Sequence, residues 1–315
     1  MRGNELRSFS IDGLEKIGEG GMGTIYKIDD EQIIKVYNPE VTLSEIEKKK
    51  QYAREIFVRG IPTMISFEIV AVGNQYGIIF EMLGSDTVGR ALRKDPSLTM
   101  DYGRKMGELL KKIHTVEMPE KALPRIKDRF SEWIDIMDRE YHTAPYVIQA
   151  MRQVLEAVPE TNRVLHCDFH EGNVMISGDE LIVIDIDEIC VGNPIYDLAF
   201  CYGNHDLLAL NPKMLENSVG IKPATARQMR RLIMMEYYHT DDVRKIKKLD
   251  TLLLILALFT YALSLARLGD SDYASRTIQR IVRNIIHPVF YIMWSAYRLL
   301  HKDMFAGILP EDLNI

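Results

Sequence analysis

A chain of 315 residues is long enough for one large domain or for two lobes that share a cleft. Its 47% hydrophobic and 27% charged residues are those of an ordinary globular protein, and a formal charge of −6 argues against a nucleic-acid partner held by phosphate attraction. Three cysteines without a CxxC spacing exclude a disulfide framework and give no zinc or redox pair, and Met1 to Ser10 has no apolar run of a secretory signal, so a cytoplasmic protein is expected.

Up to Leu83 the chain reads largely as strands. TIYKI, the turn pair Asp29-Asp30 and QIIKVY predict a hairpin between Gly23 and Tyr37. Ile69 to Val72 and Gly77 to Glu81, separated by Gly73-Asn74, predict a second. Between them Leu43 to Arg59 is charged and free of Gly and Pro. Ile46, Ala53, Ile56 and Phe57 fall at helical spacing, so one face is expected to dock on the sheet before Gly60-Ile61-Pro62 ends the helix.

Beyond Leu83 the character is mainly helical. Met100 to Thr115 carries Met106, Leu109, Leu110 and Ile113 on one face, and Phe130 to Tyr141 and Val147 to Val158 predict further helices. Val164 to Asp187 interrupts them with two short apolar runs around a polar loop. Thr251 to Ala266 is uncharged but short for a membrane span and is read as a buried core helix, so no membrane partner is expected. The expectation is an α+β, two-lobed architecture divided into residues 1–83 and 84–315.

Gly18, Gly20, Gly21 and Gly23 lie in GEGGMG, a G-x-G-x-x-G pattern. Alone it is weak, but a dinucleotide fingerprint needs a helix directly after it, and a β-rich run follows here. A glycine-rich strand–turn–strand can instead lie over phosphates and present backbone N–H groups. Lys35, in the apolar strand IIKV, is either an edge lysine facing water or a cation that reaches those phosphates. The second reading requires an anion to hold it in the empty site. Glu47 on the following helix is the first choice, with Glu45 and Glu55 as rivals.

The strongest signal is HCDFHEGN, an H-x-D-x-x-x-x-N pattern, followed by the apolar strand LIVI ending in Asp185. Phosphoryl transfer asks mainly for alignment and charge neutralisation. Asp168 fits the carboxylate that takes the proton of an acceptor hydroxyl, while Asn173 and Asp185 are the hard oxygen donors that magnesium prefers. Each has a bland reading as a turn, a loop cap or a strand end; their occurrence together, behind a glycine loop and lysine, favours chemistry.

On these residues the chain resembles the aminoglycoside phosphotransferase and choline kinase family, small-molecule relatives of the protein kinases. HCDFHEGNVMISGDELIVIDIDEICVGNPIYDLAF is similar to that family's catalytic loop, metal strand and following helix start. The resemblance runs over roughly residues 12 to 205. It implies a protein-kinase-like fold, with a nucleotide-binding lobe at 1–83 and a helical lobe at 84–315 carrying the catalytic loop and acceptor site. It implies ATP and magnesium as cofactors, Asp168 as catalytic base, Asn173 and Asp185 on magnesium, and Lys35 on the phosphates. Backbone near Glu81, Met82 and Leu83 is implied to hold the adenine. Asp197 resembles an aspartate that steadies the catalytic loop, though it reads equally as a helix cap, and Asp187 resembles an acidic residue near the metal group. Cys167 stands where the family usually has glycine, and Glu171 where it often has proline.

A small-molecule acceptor is expected over a peptide, because only a short segment separates Asp185 from Asp197, with neither D-F-G nor A-P-E. A protein kinase and an inactive nucleotide-binding module are the alternatives. The acidic-aromatic run Glu236 to Asp242 is read as an ordinary helix boundary rather than a cation site.

Overall fold

The computed structural model describes residues 6–84, 86–268, 276–301, 303–305 and 308–310. Numbered along the chain, the strands are β1 (Glu15–Gly20), β2 (Gly23–Lys27), β3 (Gln32–Tyr37), β4 (Ser66–Val72), β5 (Gln75–Glu81), β6 (Arg163–Leu165), β7 (Val174–Ser177), β8 (Glu180–Val183) and β9 (Cys190–Gly192). The helices are α1 (Leu43–Phe57), α2 (Val88–Lys94), α3 (Thr99–Thr115), α4 (Ile126–Arg139), α5 (Pro145–Ala157), α6 (Ile195–Tyr202), α7 (Pro212–Ser218), α8 (Pro223–Tyr237), α9 (Val243–Ala262), α10 (Ser264–Leu268), α11 (Arg276–Ile281) and α12 (His287–Leu300). Two compact units result, Met1–Val88 with Asn173–Asp187, and Gly89–Gly172 with Glu188–Ile315. The division expected at residue 83 thus falls at Val88, and the β7–β8 hairpin groups with the strands rather than with the helices.

In the first unit an antiparallel sheet runs in the order β1-β2-β3-β5-β4. Alternation along β3 sorts its side chains between two apolar clusters. Ile34 and Val36 pack with Val70, Val72 and Ile79 on one face. Tyr37 packs with Val41, Ile46 and Ile78 on the other, where Ile46 of α1 docks. α1 starts at a capping box, with Glu45 returning to the Thr42 N–H at 2.7 Å. Ile46, Ala53 and Ile56 are buried as the spacing predicts, but Phe57, at the end of the helix, is 46% exposed.

The second unit is mainly helical. α3 and α8 pack closely because α3 offers glycine there: a Cβ on Gly107 would come within 2.7 Å of the Ile233 carbonyl. Val243–Ala266 is the one stretch among the described residues long and apolar enough to cross a membrane. Its Leu252, Leu253, Ile255, Leu256 and Phe259 are buried, and the Phe259 ring meets Phe130 edge-on at 5.2 Å, in keeping with a core helix. The Glu236–Asp242 run is the boundary between α8 and α9: Asp242 caps α9 through the Arg244 N–H at 2.9 Å.

Candidate functional site

The glycines of the β1–β2 hairpin fall into two kinds. Gly23 pairs with Tyr37, and a Cβ there would collide with the Val36 carbonyl, so glycine is required by the approach of β3. Gly20 and Gly21 have nothing within 4 Å of such a Cβ, so no packing demand accounts for them. The Asn38 amide holds the turn by donating to the Gly21 carbonyl at 2.8 Å. The result is a fixed turn with an open, side-chain-free surface suited to phosphate.

Lys35 leaves β3 on the α1 side of the sheet. Its Nζ donates to Asp185 Oδ1 at 2.9 Å and to Asp187 Oδ2 at 2.6 Å. Asp187 also accepts from the Tyr37 hydroxyl at 3.2 Å, and Lys49 of α1 donates to the Asp187 carbonyl at 3.1 Å. Burial pushes the Lys35 ammonium down, but the charges of Asp187 and Asp185 outweigh it and hold its pKa above the ordinary lysine value. Burial likewise pushes the Asp187 carboxyl up, and Lys35 and Lys49 bring it below the ordinary range.

The β7–β8 hairpin sets the next pair. Val174 is opposite Val183, so Asn173 and Asp185 flank its open end, and the Ile184 N–H donates to the Asn173 carbonyl at 3.0 Å. Asp185 adopts φ +55°, a conformation that costs a non-glycine residue about 1 kcal/mol or more. Its side chain is 47% exposed, whereas that of Asp187 is 10% exposed. No cluster of three acids, histidines or cysteines suited to a metal occurs among the described residues. An amide and a half-open carboxylate nevertheless fit magnesium, which binds through one or two protein oxygens and completes its shell with phosphate and water.

In the second unit the loop that carries Asp168 is held by its backbone. Asp197, fully buried, accepts the His166 N–H at 2.7 Å and the Cys167 N–H at 2.8 Å. The same carboxylate accepts His114 Nε2 at 3.1 Å, and with that nitrogen protonated His114 Nδ1 accepts the Tyr237 hydroxyl at 2.8 Å. Cys167 has φ +67°, which is why glycine suits this position; its buried Sγ lies 3.1 Å from that of Cys190. Asp168 follows at once, with its side chain 35% exposed. Glu171 is buried and accepts His205 Nε2 at 2.8 Å, and His205 comes from a π-helical turn, Gly203–Leu207.

Among the expected residues, the structure gathers Lys35, Asp185 and Asp187, sets Asn173 across the hairpin mouth from Asp185, and places Asp168 on the clamped loop. It does not bring Glu47 to Lys35. Glu47 is exposed and lines a groove with Lys50, Arg54 and Ile65, Glu45 is bound in the cap, and Glu55 pairs with Arg59. At the residues expected to hold the adenine, the Glu81 N–H goes to the Ile65 carbonyl and the Met82 N–H to the Glu31 carbonyl, while Leu83 is buried. Lys49, His114 and His205 were not anticipated. Lys49 alone carried a signal, one helical turn after the docked Ile46.

The profile of the phosphotransferase enzyme family matches residues 14–215. Among solved structures the chain is similar to the ADP-bound aminoglycoside phosphotransferase APH(2'')-Ib, at 14% identity over 92% of this chain and 94% of that one, with a TM-score of 0.57. A choline/ethanolamine kinase family protein from Mesorhizobium loti matches at 14% identity over 91% and 92%, TM-score 0.57. A thermostable mutant of aminoglycoside phosphotransferase APH(4)-Ia in its apo form matches at 13% over 88% and 94%, TM-score 0.59. No curated protein matches the chain. Since the profile takes in the glycine hairpin, Lys35, the catalytic loop and the β7–β8 hairpin, the chain belongs to the phosphotransferase enzyme family and has its mixed α+β, protein-kinase-like fold.

Proposed function

We propose that the protein transfers the γ-phosphate of ATP to a hydroxyl of a small molecule of the aminoglycoside, amino alcohol or sugar type. The observation that carries this reading is Lys35, behind the open glycine turn, bonded to the same Asp185 that, with Asn173, flanks the mouth of the β7–β8 hairpin. Lys35 binds the α- and β-phosphates, and Asn173 and Asp185 hold magnesium. When bound, magnesium neutralises phosphate charge. Asp168, on a loop whose backbone is fixed by Asp197, takes the proton of the acceptor hydroxyl. Glu81, Met82 and Leu83 flank the adenine. The Glu81 and Met82 N–H groups are bonded elsewhere, so Leu83 supplies the backbone donor.

A small acceptor is favoured over a peptide by the segment after Asp187. It enters β9, which pairs with β6, and then runs through Pro194 into α6, leaving no platform for a peptide chain. Similar solved structures include ADP, ATP and GDP complexes, which supports a nucleotide as donor. Three buried free cysteines fit action in a reducing cytoplasm.

The test is Asp168→Asn, assayed for ATP turnover against a panel of amino sugars and amino alcohols and for MgATP binding by thermal shift. The expected result is a loss of turnover of about 10²–10⁴-fold with MgATP binding kept. Turnover near that of the unaltered protein would remove Asp168 from the mechanism.

A further inference from the structure

Lys35 needs an anion that stays with it when nucleotide is absent and when metal claims Asp185. α1 does not supply one. Its three glutamates Glu45, Glu47 and Glu55 are engaged in the cap, at the groove and with Arg59. The α1 side chain that reaches the Lys35 cluster is a cation, Lys49, with Nζ 3.8 Å from Asp187 Oδ1 and 3.1 Å from the Asp187 carbonyl. The anion comes from the residue two beyond Asp185.

We propose that Asp187 is the positioning residue for Lys35 and that Lys49 seats Asp187, so that in this chain the helix contributes the cation and the β7–β8 segment the anion. Resting on the reading of Lys35 as the phosphate-binding lysine, this assigns different tasks to the two aspartates. Asp185 is half open, has one oxygen on Lys35 and is the carboxylate that metal can take. Asp187 is nearly closed and meets Lys35, the Tyr37 hydroxyl and Lys49 together. With Asp185 given over to a metal, Lys35 would keep Asp187 and stay aimed. Because Lys49 sits on α1, the tilt of that helix and the seat of Lys35 are mechanically one unit.

The arrangement predicts a specific exchange. Asp187→Asn removes the seat, and Lys49→Glu alone crowds a third carboxylate against Asp187 and Asp185. Combining the two moves the anion onto α1 and restores a carboxylate within reach of Lys35. The first readout is the rate at which an amine-reactive ester labels Lys35, mapped by mass spectrometry, which requires neither nucleotide nor acceptor. Labelling is expected to rise about tenfold in Asp187→Asn, where Lys35 loses the shorter of its two carboxylate hydrogen bonds, and to return toward the original rate in the double variant. Calorimetry with MgATP is expected to show binding weakened about tenfold or more in each single variant, the loss of one charge-assisted hydrogen bond, and regained in the double.

Unchanged labelling in Asp187→Asn, or a double variant labelled as fast as the single, would overturn the proposal, with melting temperatures confirming that each variant is folded. If labelling follows the prediction while no variant, nor the original protein, binds any nucleotide, the phosphotransfer reading fails and the seat of Lys35 stands.

Discussion

Asp197 lies in the first turn of α6, a place that reads equally as a cap or as a support for the catalytic loop. The geometry separates the two. The cap position of that helix is Pro194, with no side-chain cap bond, and the Asp197 carboxylate goes instead to the backbone of His166 and Cys167 and to His114. Replacing it by alanine would leave buried donors without acceptors. Asp197→Ala is expected to cost about 3 kcal/mol or more in urea unfolding and to lower turnover by loosening Asp168, even though Asp197 touches no substrate. A variant with unaltered stability and turnover would make Asp197 dispensable. The left-handed Cys167 belongs to the same turn: two tightly held N–H groups leave the loop no other path, and a cysteine is tolerated where glycine would be relaxed.

At the scale of the element, the glycine hairpin predicts a split among chemically identical substitutions. Gly23→Ala collides with β3 and should lower the melting temperature, whereas Gly20→Ala and Gly21→Ala meet open space and should leave it within a degree or two. The latter two should instead weaken nucleotide binding, read by titration with MgATP. Equal melting losses in all three would mean that the turn is a packing feature only. This split also marks what was legible in the sequence. Strand and helix positions followed from period and turn residues, and β3 and β5 fall close to their expected limits because QIIKVY and GIIFE are compact β-branched and aromatic runs near turn pairs. The helix register was only partly legible: Lys49, one turn after Ile46, shares the docking face and Glu47 does not, but the search for an anion to hold Lys35 pointed to the glutamates instead. Asp168, Asn173 and Asp185 could be proposed from spacing alone, because motif residues lie close in sequence. His114 and His205 could not, since their partners Asp197 and Glu171 are 83 and 34 residues away.

Over the whole molecule, one buried ion pair sets a pH window for stability. Both nitrogens of His205 face acceptors, Nε2 the Glu171 carboxylate and Nδ1 the Cys201 carbonyl at 2.7 Å, which is the geometry of an imidazolium. Burial pushes its pKa down, but Glu171 raises it well above 6.5. Burial pushes Glu171 up, and His205 brings it below 4.5. A raised histidine stabilises fully below its unfolded value near 6.5, and that share is lost as pH rises through the folded value. A lowered glutamate stabilises above its unfolded value near 4.5, and its share is lost as pH falls through the folded one. The melting temperature should therefore peak between those limits and fall on both sides. Glu171→Gln should lower the peak by the equivalent of about 3–5 kcal/mol and flatten both slopes, measured by calorimetry from pH 4 to 10. An unchanged profile would mean that the pair is not ionised.

Between Asp185 and Asp197 the chain has room only for a short turn, β9 and the start of α6. The carboxylate proposed for the metal and the carboxylate that clamps the catalytic loop are thus joined by a tether already committed to sheet and helix. A tether of this kind has no spare length to fold away, to receive a phosphate or to be released by a partner. For the reaction proposed above, this stretch holds no segment that could serve as an on–off device.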